Sequence, residues 1–235
     1  MIHVVYAINY EPSYIDICKK SIDTVKWFVK DDIQFHILIN GEEPIEDIEG
    51  IHYHFKVPTN LRQRKPYDDM RNTSYLRMWI PELLPNDIDK CIYLDSDVLV
   101  IHDFSKWYHE TNPNYLVCHG FNIPLNEKKL LNLKPNELYV QPSIMLMNIP
   151  ALRQDDFRNK VFENMWDVKA YWCHEETLLN YNYRDKIDLI SPKLMRSLEN
   201  KHMNKVSEIL FCHFNGPFNK PILHKIHKKL NFIKK

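Results

Sequence analysis

Two carboxylates interrupt one of the most apolar runs of the chain. Cys91 to Leu94 reads as a buried strand, Asp95-Ser96-Asp97 follows without a spacer, and Val98 to Ile101 is apolar again. Burying both acids unpaired is prohibitively costly, so the fold has to bring the end of this strand to an edge where they emerge. In an open α/β sheet that edge is the carboxyl end of the strands, where ligands sit. Two residues apart in extended chain, Asp95 and Asp97 can face the same side. A divalent cation carrying a diphosphate relieves their repulsion, and hard oxygen donors suit Mg2+ or Mn2+. An isolated triplet of this kind also marks a solvated turn or a helix cap; the apolar strand on both sides brings the two readings level.

The sequence before the triplet supports such a sheet. Ile2 to Ile8 is a β-branched apolar run, and apolar residues then recur at helical spacing from Tyr14 to Val29. Ile33 to Ile39 alternates and stops at Asn40-Gly41, Ile51 to Val57 alternates and stops at Pro58, and Asn72 to Leu84 reads as a helix. This β/α alternation favours a mostly parallel sheet. Beyond the triplet, Tyr115 to Cys118 and Tyr139 to Asn148 read as strands and Asp155 to Val168 and Glu175 to Tyr181 as helices. Ile209 to Phe211 reads as a last short strand leading to Cys212-His213.

Composition removes several classes of function. The 235 residues, 44% hydrophobic, can bury one core, and acidic and basic residues balance at 31 each, so no nucleic-acid partner is called for. Only 4 glycines occur, in neither a GxGxxG nor a GxxxxGK pattern, so a phosphate would need another holder. Cys18, Cys91, Cys118, Cys173 and Cys212 are odd in number and unpaired in spacing, as reduced structural thiols are. With no leader-like opening and no apolar run long enough for a bilayer, a soluble cytoplasmic protein is expected. Residues 222–235 alternate apolar positions with Lys and His. Such a basic amphipathic helix packs one face on the domain or makes weak peripheral contact with an anionic membrane.

A second constellation favours the metal reading. His213 opens the segment His213-Phe214-Asn215-Gly216-Pro217-Phe218-Asn219-Lys220-Pro221, which joins an imidazole, a glycine turn and a lysine able to meet a phosphate. Imidazole joining two carboxylates favours Mn2+ over Mg2+.

Four ordered segments resemble the retaining glycosyltransferases of family 8, which include glycogenin and the lipopolysaccharide galactosyl- and glucosyltransferases. Ile92 to Val100 (IYLDSDVLV) is similar to the family's metal strand, and Tyr139 to Ile149 (YVQPSIMLMNI) to its following apolar strand. His174 to Asn180 (HEETLLN) resembles the family's segment beside the sugar, and His213 to Pro221 its metal-and-phosphate segment. Ile2 to Tyr10 also resembles the first strand and uridine-contacting turn, and Arg77 stands at the position of a donor-contacting arginine. The chain departs from the family pattern at Ile8-Asn9, at Gln141-Pro142-Ser143, and by one extra residue between Gly216 and Lys220.

The resemblance implies a GT-A fold, a single α/β domain with a mostly parallel Rossmann-like sheet. Residues 1–100 would form a nucleotide half and 101–221 a sugar and acceptor half. It implies Asp95, Asp97 and His213 as ligands of Mn2+ or Mg2+. Donor-binding positions would be Ala7, Asn9, Tyr10, Arg77, Ser96, Asn122, Gln141, Gly216 and Lys220. Glu175 and Glu176 would be the acids beside the sugar, Glu176 where the family commonly has glutamine; as plain residues, both also suit a helix start. The implied reaction is retaining transfer of glucose or galactose from a UDP-sugar to a glycan or glycoconjugate hydroxyl. An inverting or GDP-sugar-using transferase, or a silent nucleotide-sugar-binding module, stays open.

Overall fold

The structure, a computed structural model, describes residues 1–58, 73–168, 174–197, 208–216 and 219–234. Cys173, Asn72, Pro217 and Phe218 lie outside them. The strands are β1 (Ile2–Ile8), β2 (Ile33–Asn40), β3 (Ile51–Phe55), β4 (Lys90–Leu94), β5 (Val98–Val100), β6 (Leu116–Phe121), β7 (Tyr139–Asn148), β8 (Ile187–Leu189), β9 (Met195–Ser197) and β10 (Phe211–His213). The helices are α1 (Pro12–Phe28), α2 (Ile80–Leu83), α3 (Ser105–Glu110), α4 (Leu125–Leu130), α5 (Ile149–Gln154), α6 (Phe157–Val161), α7 (His174–Asn182) and α8 (Lys220–Lys234).

Seven strands form a central sheet in the order β3-β2-β1-β4-β7-β6-β8. It is parallel from β3 through β4 and again between β6 and β8, whereas β7 runs antiparallel to both neighbours. The sequence pattern did not foretell that reversal. Strand β7 is buried along almost its whole length, so its side chains carry no polar alternation from which to read a direction. A core fills each face. One holds Tyr93, Met145, Leu178 and Tyr183, and the other Ile92, Leu146, Val98 and Phe211.

A second sheet, β5-β10-β9, packs against the latter face. Its β5 edge is closed by α1: the Ser21 hydroxyl donates to Val98 O, and Val100 N donates to Thr24 Oγ1 at 3.0 Å. These two polar residues on the buried face of α1 serve the strand's free backbone groups rather than breaking the apolar stripe.

The expected helix from Asn72 to Leu84 is instead a 3-10 segment, Ser74–Trp79, followed by α2. Pro81 explains the break. In a continuous helix it would lack the N–H owed to the preceding turn, whereas in the first turn of α2 no such bond is needed. The expected helix over Asp155 to Val168 reduces to α6, because Asp156 and Asn164 adopt left-handed conformations, at φ 55 and 52, that stop a right-handed helix.

Helix α8 starts at Lys220 and docks one face through Leu223 and Ile226 onto Ile17, Leu99 and Phe214, with His227 stacked on Trp27. Phe232 stays 84% exposed beside Lys228 and Lys229. No helix among the described residues is long and apolar enough to cross a membrane. Cys18, Cys91 and Cys118 are free, buried thiols, and burial pushes Cys118 up to about 12.

Candidate active site

Strand β4 stops at Leu94, opposite Ile144, while β7 runs on to Tyr139. The overhanging stretch of β7 therefore needs other partners for its backbone. Asp95 N donates to Ser143 O at 2.8 Å, Arg77 Nη1 to Pro142 O at 2.8 Å, and the Asn180 amide pairs with both N and O of Val140 at 2.7 and 2.8 Å. The contacts that finish the sheet are thus the ones that fix Asp95, Arg77 and α7 around its carboxyl end.

Arg77, 5% exposed, is the hub of this arrangement. Its Nε donates to Ser74 O at 2.9 Å, Nη1 to Asp95 Oδ1 at 3.2 Å and Nη2 to Glu175 Oε1 at 2.9 Å. Burial alone would lower its basicity, but Asp95, Tyr93, Glu175 and Glu176 together hold it well above the ordinary guanidinium value. The Tyr93 hydroxyl donates to the same Asp95 oxygen at 2.6 Å.

Asp97 belongs to a second cluster. The antiparallel pair β5–β10 sets Val98 opposite His213, and Phe214 N donates to Asp97 O at 3.0 Å, so residues far apart in sequence are joined through backbone. His213 Nε2 lies 3.2 Å from Asp97 Oδ1, and Lys220 Nζ is ion-paired with Oδ2. Gly216 takes φ +77 in the intervening turn, a conformation that glycine adopts without strain. Burial opposes the Asp97 charge, but His213 and Lys220 outweigh it and hold the carboxyl well below its usual range. His213 shifts the other way: burial lowers it, and Asp97 more than compensates.

One ligand atom from each of Asp95, Asp97 and His213 lies within 4.8 Å of the others. Two carboxylates and an imidazole make a donor set for a hard to borderline divalent cation. Buried polar atoms nearby lack hydrogen-bond partners among the described residues: Asn9 Oδ1, Ser143 Oγ, His213 Nδ1 and Glu176 Oε1. Interiors rarely leave such atoms orphaned, and here they surround the end of β4, as positions awaiting a polar ligand do. A cleft of about 130 Å3 opens among Ala7, Asn9, Arg77, Asp95, Ser96 and Asp97. That is below the roughly 300 Å3 at which small-molecule pockets begin, so it seats only part of a ligand.

Glu175 and Glu176 are both buried in the first turn of α7. Burial, and the neighbouring Glu175, push Glu176 up to about 8 despite Arg77 and the Tyr139 hydroxyl. At neutral pH its carboxyl is therefore mostly protonated.

The model of the family described as "Glycosyl transferase family 8" matches residues 10–221. The chain belongs to glycosyl transferase family 8. Two Arabidopsis thaliana relatives, "Probable galacturonosyltransferase-like 4" and "Probable galacturonosyltransferase-like 2", are 26% and 24% identical over 107 and 109 residues. Each match covers 39% of this chain and 30% or 32% of the relative. The chain thus spans about a third of the length of the curated relatives it matches. Among solved structures, an active-site mutant of LgtC superposes with TM-score 0.71 at 18% identity, covering 92% of this chain and 88% of that one. The galactosyltransferase LgtC in complex with donor and acceptor sugar analogues gives TM-score 0.69 at 16% identity, covering 97% and 96%. Mouse xyloside xylosyltransferase 1 gives 0.63 at 12%, covering 91% and 97%. The fold is the GT-A fold that these neighbours share.

Of the residues singled out in this family-8 sequence, the structure places Ala7, Asn9, Arg77, Asp95, Ser96 and Asp97 around the cleft, with His213 and Lys220 on the Asp97 carboxylate and Gly216 in the stretch between them. Gln141 is buried on β7, Tyr10 is 50% exposed outside the cleft lining, and Asn122 is exposed just beyond β6. Tyr93, Asn180 and His119 were not singled out. Tyr93 had a signal, since two residues before Asp95 on a strand is the same face. Asn180 had only its place at the end of the family-like His174 to Asn180 segment, and nothing pointed to its partner, backbone on a distant strand.

Proposed function

We propose that this family-8 chain is a metal-dependent transferase that moves glucose or galactose from a UDP-sugar to a hydroxyl of a glycan or glycoconjugate, with retained anomeric configuration. The observation that carries this reading is the convergence of Asp95, Asp97 and His213, with Lys220 already on Asp97. Residues 1–100 would hold the nucleotide and 101–221 the sugar and acceptor.

Mn2+ or Mg2+ held by Asp95, Asp97 and His213 would supply positive charge to the departing diphosphate. Lys220, now paired with Asp97, would be the cation placed to meet the phosphates. Arg77 keeps Asp95 and Glu175 aligned, a preorganised charge array in a site where water is scarce. Glu176, as a carboxylate, would stabilise the cationic sugar carbon, or form a bond to it as the bond from that carbon to the diphosphate oxygen breaks and the diphosphate leaves. The names of the relatives, a galactosyltransferase and galacturonosyltransferase-like proteins, make UDP-galactose and UDP-galacturonate natural donors to try beside UDP-glucose.

The test is a thermal-shift panel of nucleotides and sugar nucleotides with and without Mn2+, followed by UDP release with candidate glycan acceptors and NMR of the product anomer. Ligand binding to the native state raises the melting temperature. Stabilisation by UDP-sugars that requires Mn2+, release of UDP and a retained anomer support the reading. Preference for GDP, or an inverted product, corrects it; binding without release under all acceptors points to a silent module.

A further inference from the structure

One buried side chain beside the metal-side cluster has no part in the account above. His119 is 4% exposed on β6, and neither ring nitrogen has a hydrogen-bond partner among the described residues. Its surroundings place it at the site. The register of the β6–β7 pair shifts between Cys118 and His119, and such irregularities re-aim side chains next to active sites. Across the ladder it faces Gln141, itself buried. The charge of His213 on β10 reaches it.

The chemistry left for His119 is narrow. It does not join the group of metal-ligating atoms, which is Asp95, Asp97 and His213. Phosphates have Lys220, a cation better suited to them. No described carboxylate is hydrogen-bonded to the ring, and burial together with His213 keeps it neutral, at about 4. A neutral imidazole offers one N–H and one lone pair. A sugar hydroxyl, which both accepts and donates, is the group that uses both.

We propose that His119 is a sugar-binding residue that hydrogen-bonds a hydroxyl of the sugar held beside the metal side of the site and so contributes to sugar selectivity. The proposal rests on the transferase reading. The hydroxyl belongs to the transferred sugar or to the acceptor sugar, and two measurements separate these sources.

Affinities of wild type, His119→Leu and His119→Asn are compared for UDP alone and for UDP-glucose, UDP-galactose and UDP-galacturonate, all with Mn2+. Binding of methyl glucoside and methyl galactoside in the presence of UDP and Mn2+ is followed by saturation-transfer NMR. A donor-sugar contact predicts that His119→Leu weakens the preferred UDP-sugar by about tenfold and leaves UDP nearly unchanged. An acceptor contact predicts unchanged UDP-sugar affinity and lost saturation transfer to the methyl glycosides. In either case His119→Asn, which keeps a donor and an acceptor, recovers part of the loss. Without ligands His119→Leu should melt higher than wild type, because it removes unpaired buried nitrogens; a merely structural histidine would show the reverse. Unchanged sugar binding in His119→Leu, or equal loss of UDP and UDP-sugar, overturns the proposal. Failure of the wild type to bind UDP with Mn2+ overturns the transferase reading instead.

Discussion

Two buried ion networks meet at the carboxyl end of β4, and they are built for different tasks. Around Arg77, four of the guanidinium N–H groups are taken by Ser74 O, Pro142 O, Asp95 and Glu175, and the contacts also finish the overhanging strand β7. Around Asp97, the carboxylate is held by His213 and by Lys220, whose side chain keeps 18% exposure and reaches in from the start of α8. The first network joins parts of the sheet that have nothing else to bond. The second neutralises an acid with a flexible lysine, a partner that a cation can displace. A buried charge array can thus serve as framework or as socket, and what distinguishes the two here is how far backbone depends on it: Arg77 holds two carbonyls, Ser74 O and Pro142 O, whereas Lys220 holds one, Phe214 O.

The sharpest way to break that contrast is Arg77→Met. It strands Glu175, which is 1% exposed, and unfolding free energy in urea should fall by about 3–5 kcal/mol. Adding Glu175→Gln should restore part of this, since the orphaned charge goes with it. A loss under 1 kcal/mol would make the Arg77 network no more structural than the Asp97 one.

Asp97→Asn should instead leave the fold standing and weaken Mn2+-dependent UDP binding by about a hundredfold or more, roughly 2.7 kcal/mol, as calorimetry would show. Retained metal dependence would remove Asp97 from the socket.

Glu176 gives the pH dependence. Its carboxyl is raised from 4.5 to about 8 by burial, and by Glu175, so the folded state binds the proton that the unfolded chain releases. Its stabilising contribution is complete below about pH 4.5 and is lost as pH rises to about 8, at up to about 1.4 kcal/mol per pH unit. Glu176→Gln should flatten the ligand-free melting curve over that window. In the same variant, sugar transfer should drop strongly while UDP and Mn2+ affinity stay near normal. Normal turnover would reduce Glu176 to a helix-start residue.

The smallest effect is expected at Lys220. Lys220→Ala should cost the ligand-free fold less than Arg77→Met does, because Asp97 keeps His213 as a partner. Without nucleotide it should raise Mn2+ affinity about threefold, because the lysine competes for Asp97, whereas with UDP present it should lower it. Weaker Mn2+ binding in both conditions would mean that Lys220 props the socket open rather than filling it.

The sequence made the socket legible because its parts are chemically odd where they stand. Two acids between apolar strands and a histidine before a glycine turn each violate local expectation, and the fold brings them together as a cation requires. The parallel half of the sheet was legible from β/α alternation. The framework was not: Glu175 meets Arg77 across 98 residues, and either acid of the pair at the start of α7 could equally have served the helix dipole. The direction of β7 was hidden by its uniform burial. His119 was passed over because a single histidine among Leu116, Val117 and Cys118 looks like core.

The backbone bond from Phe214 N to Asp97 O has a consequence in time. Closing a loop of this length is slow compared with forming the local β/α units, so the Asp97 socket should be among the late parts of the molecule to assemble. A refolding chain would then acquire its local β/α units first, and both the Arg77–Glu175 contact, across 98 residues, and the Asp97 cluster only when α7 and β10 dock. In stopped-flow refolding, uptake of a divalent cation should lag behind the burial of Trp79, which packs against Phe55 of the early β/α units.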